Sequence, residues 1–197
     1  MSHKAASGPN VGDARLGTAV RAARPAPPGT RFRAATSADD AFFAALYVST
    51  RIEELALSGW PEAMQAAFLA QQAAAQQAHY VRHYDDAEWW VLERHGQAIG
   101  RLILARWPSQ HRIVDIALLP HARRGGLGGT ILAGVIAEAE AAGKPVSIHV
   151  EKANKAMRLY RRLGFATVED KGVYDLMLRP AGGAAAVDAA DGREAVN

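Results

Sequence analysis

IVDIALLPHARRGGLGGTIL, residues 113–132, is the stretch from which the rest of the chain can be interpreted. Its first seven residues are apolar except for Asp115 and predict a buried strand, which Pro120 ends. Glycines at positions 125, 126, 128 and 129 then lead into an apolar helical pattern. The first turn of a helix carries unpaired N–H groups, and glycine lets an anion approach them closely. The stretch therefore predicts a helix N-terminus that binds a phosphate or pyrophosphate, with added positive charge from Arg123 and Arg124.

The composition indicates a globular protein without cysteine chemistry. The chain has 197 residues, 49% of them hydrophobic, and no cysteine. That apolar fraction is enough for a packed core, whereas disulfides, thiol nucleophiles and thiolate metal sites are excluded. No apolar run reaches the roughly 18–20 residues that cross a bilayer, and no secretory signal is evident. We therefore expect a soluble, cytoplasmic protein that does not bind membranes.

The basic charge of the chain is concentrated at its N-terminus. Residues 1–29 hold four basic residues and one acidic residue, and residues 181–197 hold one basic residue and three acidic ones. The overall net charge of +3 therefore leaves only about +2 on the segment between them. Nucleic-acid-binding domains usually show a stronger basic stripe. We expect no nucleic-acid partner, and a nucleic-acid role for residues 1–33 is the weaker alternative.

The order of predicted elements gives one α+β domain with two tails. Residues 1–29 are predicted to be a disordered leader, residues 30–180 a single domain and residues 181–197 a disordered tail. Apolar patterning predicts strands over residues 30–35, 89–94, 97–106, 112–119, 145–150, 165–170 and 173–178. Helical spacing predicts helices over residues 37–51, 61–84, 127–143 and 154–163. Residues 52–57 are predicted to form a separate short piece. The order is β-α-α-β-β-β-α-β-α-β-β.

The glycine-rich turn does not match the two commonest phosphate-binding motifs. A P-loop needs Lys-Ser/Thr after its glycines, and none follows here. The dinucleotide fingerprint needs a third glycine three residues after Gly128, where Ile131 stands. The element order is also not that of a doubly wound sheet. These mismatches favour a different phosphate-bearing cofactor.

Two sequence blocks, taken together, resemble one enzyme family. Arg123-x-x-Gly126-x-Gly128, placed directly after Leu118-Leu119-Pro120, resembles the pyrophosphate-binding motif of the GNAT superfamily of acetyl-CoA-dependent N-acetyltransferases. A second block also matches the family, namely Val150-x-x-x-Asn154-x-Ala156-x-x-x-Tyr160-x-x-x-Gly164-Phe165. The resemblance covers roughly residues 31–179.

The resemblance implies a GNAT-like α+β fold, with a mixed, mostly antiparallel central sheet of about seven strands and about four flanking helices. It implies that the strands at 112–119 and 145–150 splay apart and that a thioester lies in the gap between them. It also implies acetyl-CoA as cosubstrate, no metal, and a possible homodimer.

The resemblance assigns the cofactor site residue by residue. Main-chain groups around Leu118 would pair with the pantetheine arm like an added strand. Asn154 would bind the pantetheine region, although an asparagine there is also a typical helix cap. The predicted cofactor-binding residues are Leu118, Leu119, Arg123, Arg124, Gly125, Gly126, Leu127, Gly128, Gly129, Thr130 and Asn154.

The same resemblance places Tyr160 near the thioester sulfur as the acid for the leaving thiolate. A phenol with a reference pKa of about 10 suits that role, although Tyr160 in isolation would be interpreted as a core aromatic. The family's usual positions for a basic carboxylate hold Arg112 and Val114. Asp115 has the opposite strand parity and is expected to face away in a structural role.

His149 is the predicted general base. It stands where the peptide-N-terminal branch of the family has an acidic residue near the acceptor amine, and its reference pKa of about 6.5 suits a base at neutral pH. A structural, hydrogen-bonded histidine is an equally open interpretation. Glu151, Glu53 and Glu54 are alternatives that would act through water.

The acceptor is expected to be a primary amine on a small molecule or a peptide. Trp60, between two helices, and the acidic pair Glu53 and Glu54 are the predicted acceptor-binding residues. The chain lacks cysteine, so we expect direct amine attack in a ternary complex without a covalent enzyme intermediate. The alternative function is a non-catalytic acyl-CoA-binding sensor of the same fold, against which the presence of Tyr160 argues.

Overall fold

The computed structural model describes residues 28–183. The predicted leader and tail therefore lie outside the described residues, apart from residues 28–29 and 181–183. No helix between residues 28 and 183 is long and apolar enough to cross a membrane.

The element order agrees with the predicted one along the whole described segment. The strands are β1 (Thr30–Ala34), β2 (Glu88–Arg94), β3 (Gln97–Arg106), β4 (His111–Leu118), β5 (Val146–Glu151), β6 (Ala166–Lys171) and β7 (Tyr174–Arg179). The α-helices are α1 (Asp40–Leu55), α2 (Glu62–His83), α3 (Leu127–Ala141) and α4 (Met157–Arg162).

The strands form one sheet in the order β1-β2-β3-β4-β5-β7-β6, which confirms the predicted mostly antiparallel seven-stranded sheet. The β4–β5 pair is parallel, and the other neighbouring pairs are antiparallel. β4 and β5 pair at only three positions, ending with Ile113 opposite Ile148. Beyond that pair the two strands separate, so a gap opens in the middle of the sheet.

The two faces of the sheet bury different helices. One face packs against α3 and α4 around Leu102, Ile113 and Ile148, in a single cluster that also holds Tyr160 and Phe165. The other face is covered by α1 and α2, where Phe43 packs 5.8 Å from Trp89 between ring centroids. Each helix pair therefore covers its own face of the sheet.

Residues 52–57 differ from their predicted form. They do not make a separate piece, because α1 continues through Glu53 and Glu54 to Leu55 and a 3-10 turn covers Ala56–Ser58. Glutamate is compatible with a helix interior, so nothing stops the helix earlier. The chain breaks only at Gly59, whose φ of 73° lies in the left-handed region that favours glycine.

A β-bulge in β4 changes which side chains share a face. The β3 partners shift between Ile103, opposite Asp115, and Leu104, opposite Ile113, so Val114 is the extra residue. Asp115 consequently lies on the same side of the sheet as Arg112, toward α2. The prediction that Asp115 has the opposite parity and faces away is therefore wrong, because an extra residue in a strand reverses the alternation beyond it.

A buried histidine, His111, lies at the start of β4, in the part of the strand that pairs with β5. His111 is 3% exposed, and its Nδ1 has no hydrogen-bond partner in the structure. Burial lowers the pKa of His111; the charges of Arg106 and Lys144 act in the same direction, and Glu138 opposes them. The imidazole is therefore held neutral in the folded protein.

We predict that His111 makes folding sensitive to mild acid. As the pH falls below about 6.5, the unfolded chain takes up a proton that the buried ring resists, so the free energy of unfolding decreases. The decrease continues until the pH reaches the lower pKa of the folded ring. Urea denaturation at a series of pH values between 7 and 5 should show this slope, and His111→Leu should flatten it. The exposed His121→Leu is the matched control, and equal slopes in all three proteins would contradict the assignment.

Candidate active site

The N-terminus of α3 presents backbone N–H groups that no side chain caps. Its cap residue, Gly126, has a φ of 79°, and no side chain caps the helix. The first turn contains no acidic residue. The amide of Thr130 is the first that bonds back into the helix, to the Gly126 oxygen at 3.0 Å. The amides of Leu127, Gly128 and Gly129 precede it and point out of the helix end, where they favour an anion.

The space over this turn is open. A Cβ added at Gly125 or Gly126 would meet no atom within 4 Å. A Cβ at Gly128 would meet only side-chain carbons, of Leu118 at 3.8 Å and of Leu159 at 4.0 Å. These residues therefore form an open concave surface of backbone that fits a phosphate group. We call the turn formed by residues 124–129 the glycine cradle.

Three predicted cofactor residues are engaged with the protein itself. Arg123 donates through Nε to the Leu118 carbonyl at 2.7 Å, so its guanidinium ties the loop to the end of β4. Leu119 donates its amide to the Ile99 carbonyl at 2.9 Å. Thr130 donates its hydroxyl to the Gly126 carbonyl at 3.3 Å. Arg124, by contrast, is exposed and has a φ of 65°, which places it at the rim of the cradle.

Asn154 caps the turn before α4. Its Oδ1 accepts the amide hydrogen of Ala156 at 2.8 Å, and its carbonyl accepts from Met157 at 3.0 Å. The capping role is therefore present in the structure. The side-chain amide nitrogen makes no hydrogen bond within residues 28–183, so it remains available to a ligand.

Tyr160 lies on α4, and its side chain belongs to the buried cluster on one face of the sheet. It is 4% exposed, and its ring meets that of Phe165 edge-on at 5.8 Å between centroids. Burial raises the pKa of the Tyr160 hydroxyl well above its usual range, and the negative charge of Asp115 adds to the effect. The phenol is thus protonated throughout the physiological pH range.

Asp115 is held in place by Arg101, a buried cation. The Arg101 guanidinium donates to Oδ2 of Asp115 at 2.8 Å and to Gln76 of α2 at 3.0 Å. Aromatic rings surround the guanidinium carbon at 5.2, 5.9 and 5.9 Å from their centroids; they belong to Phe43, Tyr80 and Trp89. Both contacts of Arg101 with Asp115 use Oδ2. Within residues 28–183, Oδ1 has no hydrogen-bond partner and is left for a ligand.

His149 is exposed on β5 and contacts a second buried arginine. Arg112, which is 4% exposed, donates from one guanidinium nitrogen to Nδ1 of His149 and from the other to the Ser147 hydroxyl at 3.3 Å. A neutral imidazole that accepts at Nδ1 carries its hydrogen on Nε2. The lone pair that a general base needs is therefore already occupied. The role of His149 as base stays a prediction, and this contact argues against it.

A cleft is formed by residues of α1, α2 and β7. Its lining residues are Tyr47, Arg51, Glu54, Leu55, Phe68, Leu69, Gln72 and Tyr174. Its floor is fixed by Arg51, which forms a bidentate ion pair with Glu151 of β5, and by Tyr174, which donates to Glu151 at 3.2 Å. Two of the lining residues therefore contact β5 at Glu151, two residues beyond His149.

Only one of the three predicted acceptor-binding residues lines this cleft. Glu54 lines it, whereas Glu53 lies outside and pairs with Lys155 at 3.4 Å. Trp60 does not line the cleft, but its ring packs edge-on against Phe68 at 5.5 Å and so supports one wall. The α1 lining residues were detectable in sequence, because positions 47, 51, 54 and 55 share one helical face. Phe68 and Tyr174 come from distant elements, and no local pattern identifies them.

No group of three or more His, Cys, Asp or Glu side chains in the described part of the chain is arranged to hold a metal ion. The structure therefore identifies no metal-binding residues between positions 28 and 183.

Solved structures of acetyltransferases share this fold. The chain is similar to PaiA N-acetyltransferase from Thermoplasma acidophilum in complex with coenzyme A, with a TM-score of 0.59 and 13% identity over 77% of this chain and 98% of that one. It is also similar to a GNAT family acetyltransferase from Elizabethkingia anophelis with acetyl-CoA bound, with a TM-score of 0.51 and 16% identity over 78% and 99% of the two chains.

A third similar structure is that of histone acetyltransferase HPA2 and related acetyltransferase from Corynebacterium glutamicum, with a TM-score of 0.55 and 19% identity over 78% and 97% of the two chains. At these identities the similarity shows the fold alone. A search of curated protein sequences found no match. The family model of the GNAT acetyltransferases matches residues 49–165, which is more than half of the sequence. The chain therefore belongs to the GNAT acetyltransferase family.

Proposed function

We propose that this protein transfers an acetyl group from acetyl-CoA to a primary amine of a small molecule or peptide, by direct attack in a ternary complex. Family membership supports acetyl transfer, and the coenzyme A and acetyl-CoA in similar structures support the cosubstrate. The observation that carries the proposal is the gap between β4 and β5, with the glycine cradle just beyond the end of β4. Tyr160 supports it, because its side chain belongs to the same buried cluster as Ile113 and Ile148, the residue pair at which the gap begins.

The glycine cradle would hold the pyrophosphate of coenzyme A. Its open backbone, its uncapped amides and the absence of an acid in the first turn all suit a dianionic group. The unpaired edge of β4 beyond Ile113 would bind the pantetheine arm, and Asn154 would donate its free amide N–H to that arm. The Leu118 carbonyl can take part while bonded to Arg123, because a carbonyl oxygen has two lone pairs.

In the proposed reaction the amine nitrogen forms a bond to the thioester carbonyl carbon, and the carbon–sulfur bond breaks. Tyr160 supplies a proton or a hydrogen bond to the leaving sulfur, which its protonated state allows. An unpaired backbone N–H of β4 would stabilise the developing oxyanion. We assign the proton lost by the amine to Oδ1 of Asp115 rather than to His149, because Oδ1 is free and Nδ1 of His149 is not.

The other expectations from the sequence remain proposals. A cytoplasmic location, a homodimer, a reaction that needs no metal and the absence of a nucleic-acid partner rest on composition or on the family resemblance. The alternative function, a non-catalytic acyl-CoA sensor, is distinguished from the enzyme by measuring both amine acetylation and coenzyme A binding.

Tyr160→Phe should lower the rate of acetyl transfer by roughly 100-fold or more, which is the usual contribution of an acid in the transition state. Because the phenol contacts the sulfur rather than the phosphates, the affinity for coenzyme A should change little. Thiol release across a panel of primary amines gives the rate, and calorimetry gives the affinity. An unchanged rate would remove Tyr160 from the mechanism. Tight coenzyme A binding by the wild-type protein with no turnover of any amine would favour the sensor.

Gly126→Leu should weaken coenzyme A binding by about 10- to 100-fold, since a side chain over the cradle blocks hydrogen bonds to charged oxygens, each worth about 1.5–3 kcal/mol. The matched control is Gly143→Leu at the other end of α3. Gly143 also has a positive φ, of 66°, and also has no atom within 4 Å of an added Cβ. Both variants carry similar backbone strain, so only Gly126→Leu should lose affinity in titration calorimetry. Equal affinities in the two folded variants would place the phosphates elsewhere.

A further inference from the structure

We propose that His149 is a fixed hydrogen-bond donor and that, with Asp115, it selects acceptors bearing a carbonyl or carboxylate oxygen on the carbon next to the amine. Such acceptors are amino acids, amino amides and peptide N-termini. This inference rests on the proposed acetyl transfer and narrows its acceptor to one chemical class.

The first step is the hydrogen position on His149. A guanidinium has only donors, so its contact with Nδ1 requires that nitrogen to be the acceptor. The neutral ring then carries hydrogen on Nε2. Within residues 28–183 Arg112 forms no ion pair with a carboxylate, and its other side-chain hydrogen bond is to the Ser147 hydroxyl. A second proton on His149 would place two cations side by side, which favours the neutral ring.

The second step is the direction in which this donor faces. Ile148 and Val150, the neighbours of His149 on β5, are buried in the cluster under α3 and α4. Because side chains alternate along a strand, His149 projects to the opposite side, where Asp115 also lies. His149 directly follows the last β4–β5 residue pair, so the two side chains flank the opening of the gap on one face. Glu169 and Lys171 of β6 are the other charged groups close to the ring.

The third step is the chemistry that this pair can satisfy. An arriving ammonium or amine group is a donor, and Oδ1 of Asp115 is a free acceptor on the β4 side. Nε2–H of His149 is a free donor on the β5 side and needs an acceptor oxygen. A simple alkylamine offers none, whereas an α-amino carbonyl compound offers both groups on adjacent carbons.

The test compares leucinamide with 3-methylbutylamine, which is the same molecule without its carboxamide. For each amine, kcat/KM of a variant is divided by that of the wild-type enzyme, so that the different basicities of the amines cancel. His149→Phe keeps an aromatic ring but has no hydrogen-bond donor. It should lower kcat/KM about tenfold more for leucinamide than for 3-methylbutylamine, because a difference of about tenfold is the contribution of one hydrogen bond. His149→Gln, which can accept from Arg112 and still donate, should retain most of the discrimination.

Equal losses with both amines, or no loss with either, would overturn the inference. Acetylation of neither compound nor of any other amine would instead overturn the proposed function. The hydrogen position is tested independently by nitrogen-15 NMR of the imidazole in the wild-type protein at neutral pH. Hydrogen on Nε2 is the expected result, and hydrogen on Nδ1 would overturn the donor assignment whatever the activity.

Discussion

The separation of β4 from β5 after Ile113 and Ile148 is the constraint on which the rest of the site depends. Two neighbouring strands that part inside a sheet leave backbone N–H and C=O groups without partners, and such groups are costly unless something bonds to them. The glycine cradle lies just past the end of β4, because Pro120 ends the strand and α3 begins seven residues later. Tyr160 belongs to the buried cluster on one face of the sheet, and Asp115 and His149 lie on the other face.

Two buried arginines fix the polar side of this opening. Arg101, enclosed by aromatic rings, holds Oδ2 of Asp115, and Arg112 holds Nδ1 of His149. Burying cations is expensive unless their donors are satisfied, so these residues are better explained by the orientation they impose than by stability. Each of them occupies one atom of its partner and leaves another, Oδ1 of Asp115 or Nε2 of His149, for the acceptor site that we propose.

Local signals were enough to predict the element order and the cradle. The strand end at Pro120, the four glycines and the apolar helix that follows are contiguous, and helix N-termini bind anions in any context. The splay of the two strands was available only through the family resemblance.

The parts of the site that sequence reasoning missed depend on contacts between distant segments. The bulge at Val114 is set by pairing with β3, and it reverses the side on which Asp115 lies. The hydrogen position on His149 depends on Arg112 across the β4–β5 pair. The bond from Arg123 to the Leu118 carbonyl joins the loop to the end of β4 and was not evident from the sequence; the cofactor role of Arg123 stays a prediction.

The most direct test of the central claim is hydrogen–deuterium exchange of the full chain with and without acetyl-CoA. If the gap and the cradle form one acyl-CoA site, exchange should slow in peptides covering residues 114–119 and 124–130. Peptides covering β1, at the far edge of the sheet, should be unchanged. Binding of acetyl-CoA without protection of residues 114–119 would contradict the account, because the thioester arm would then lie outside the gap.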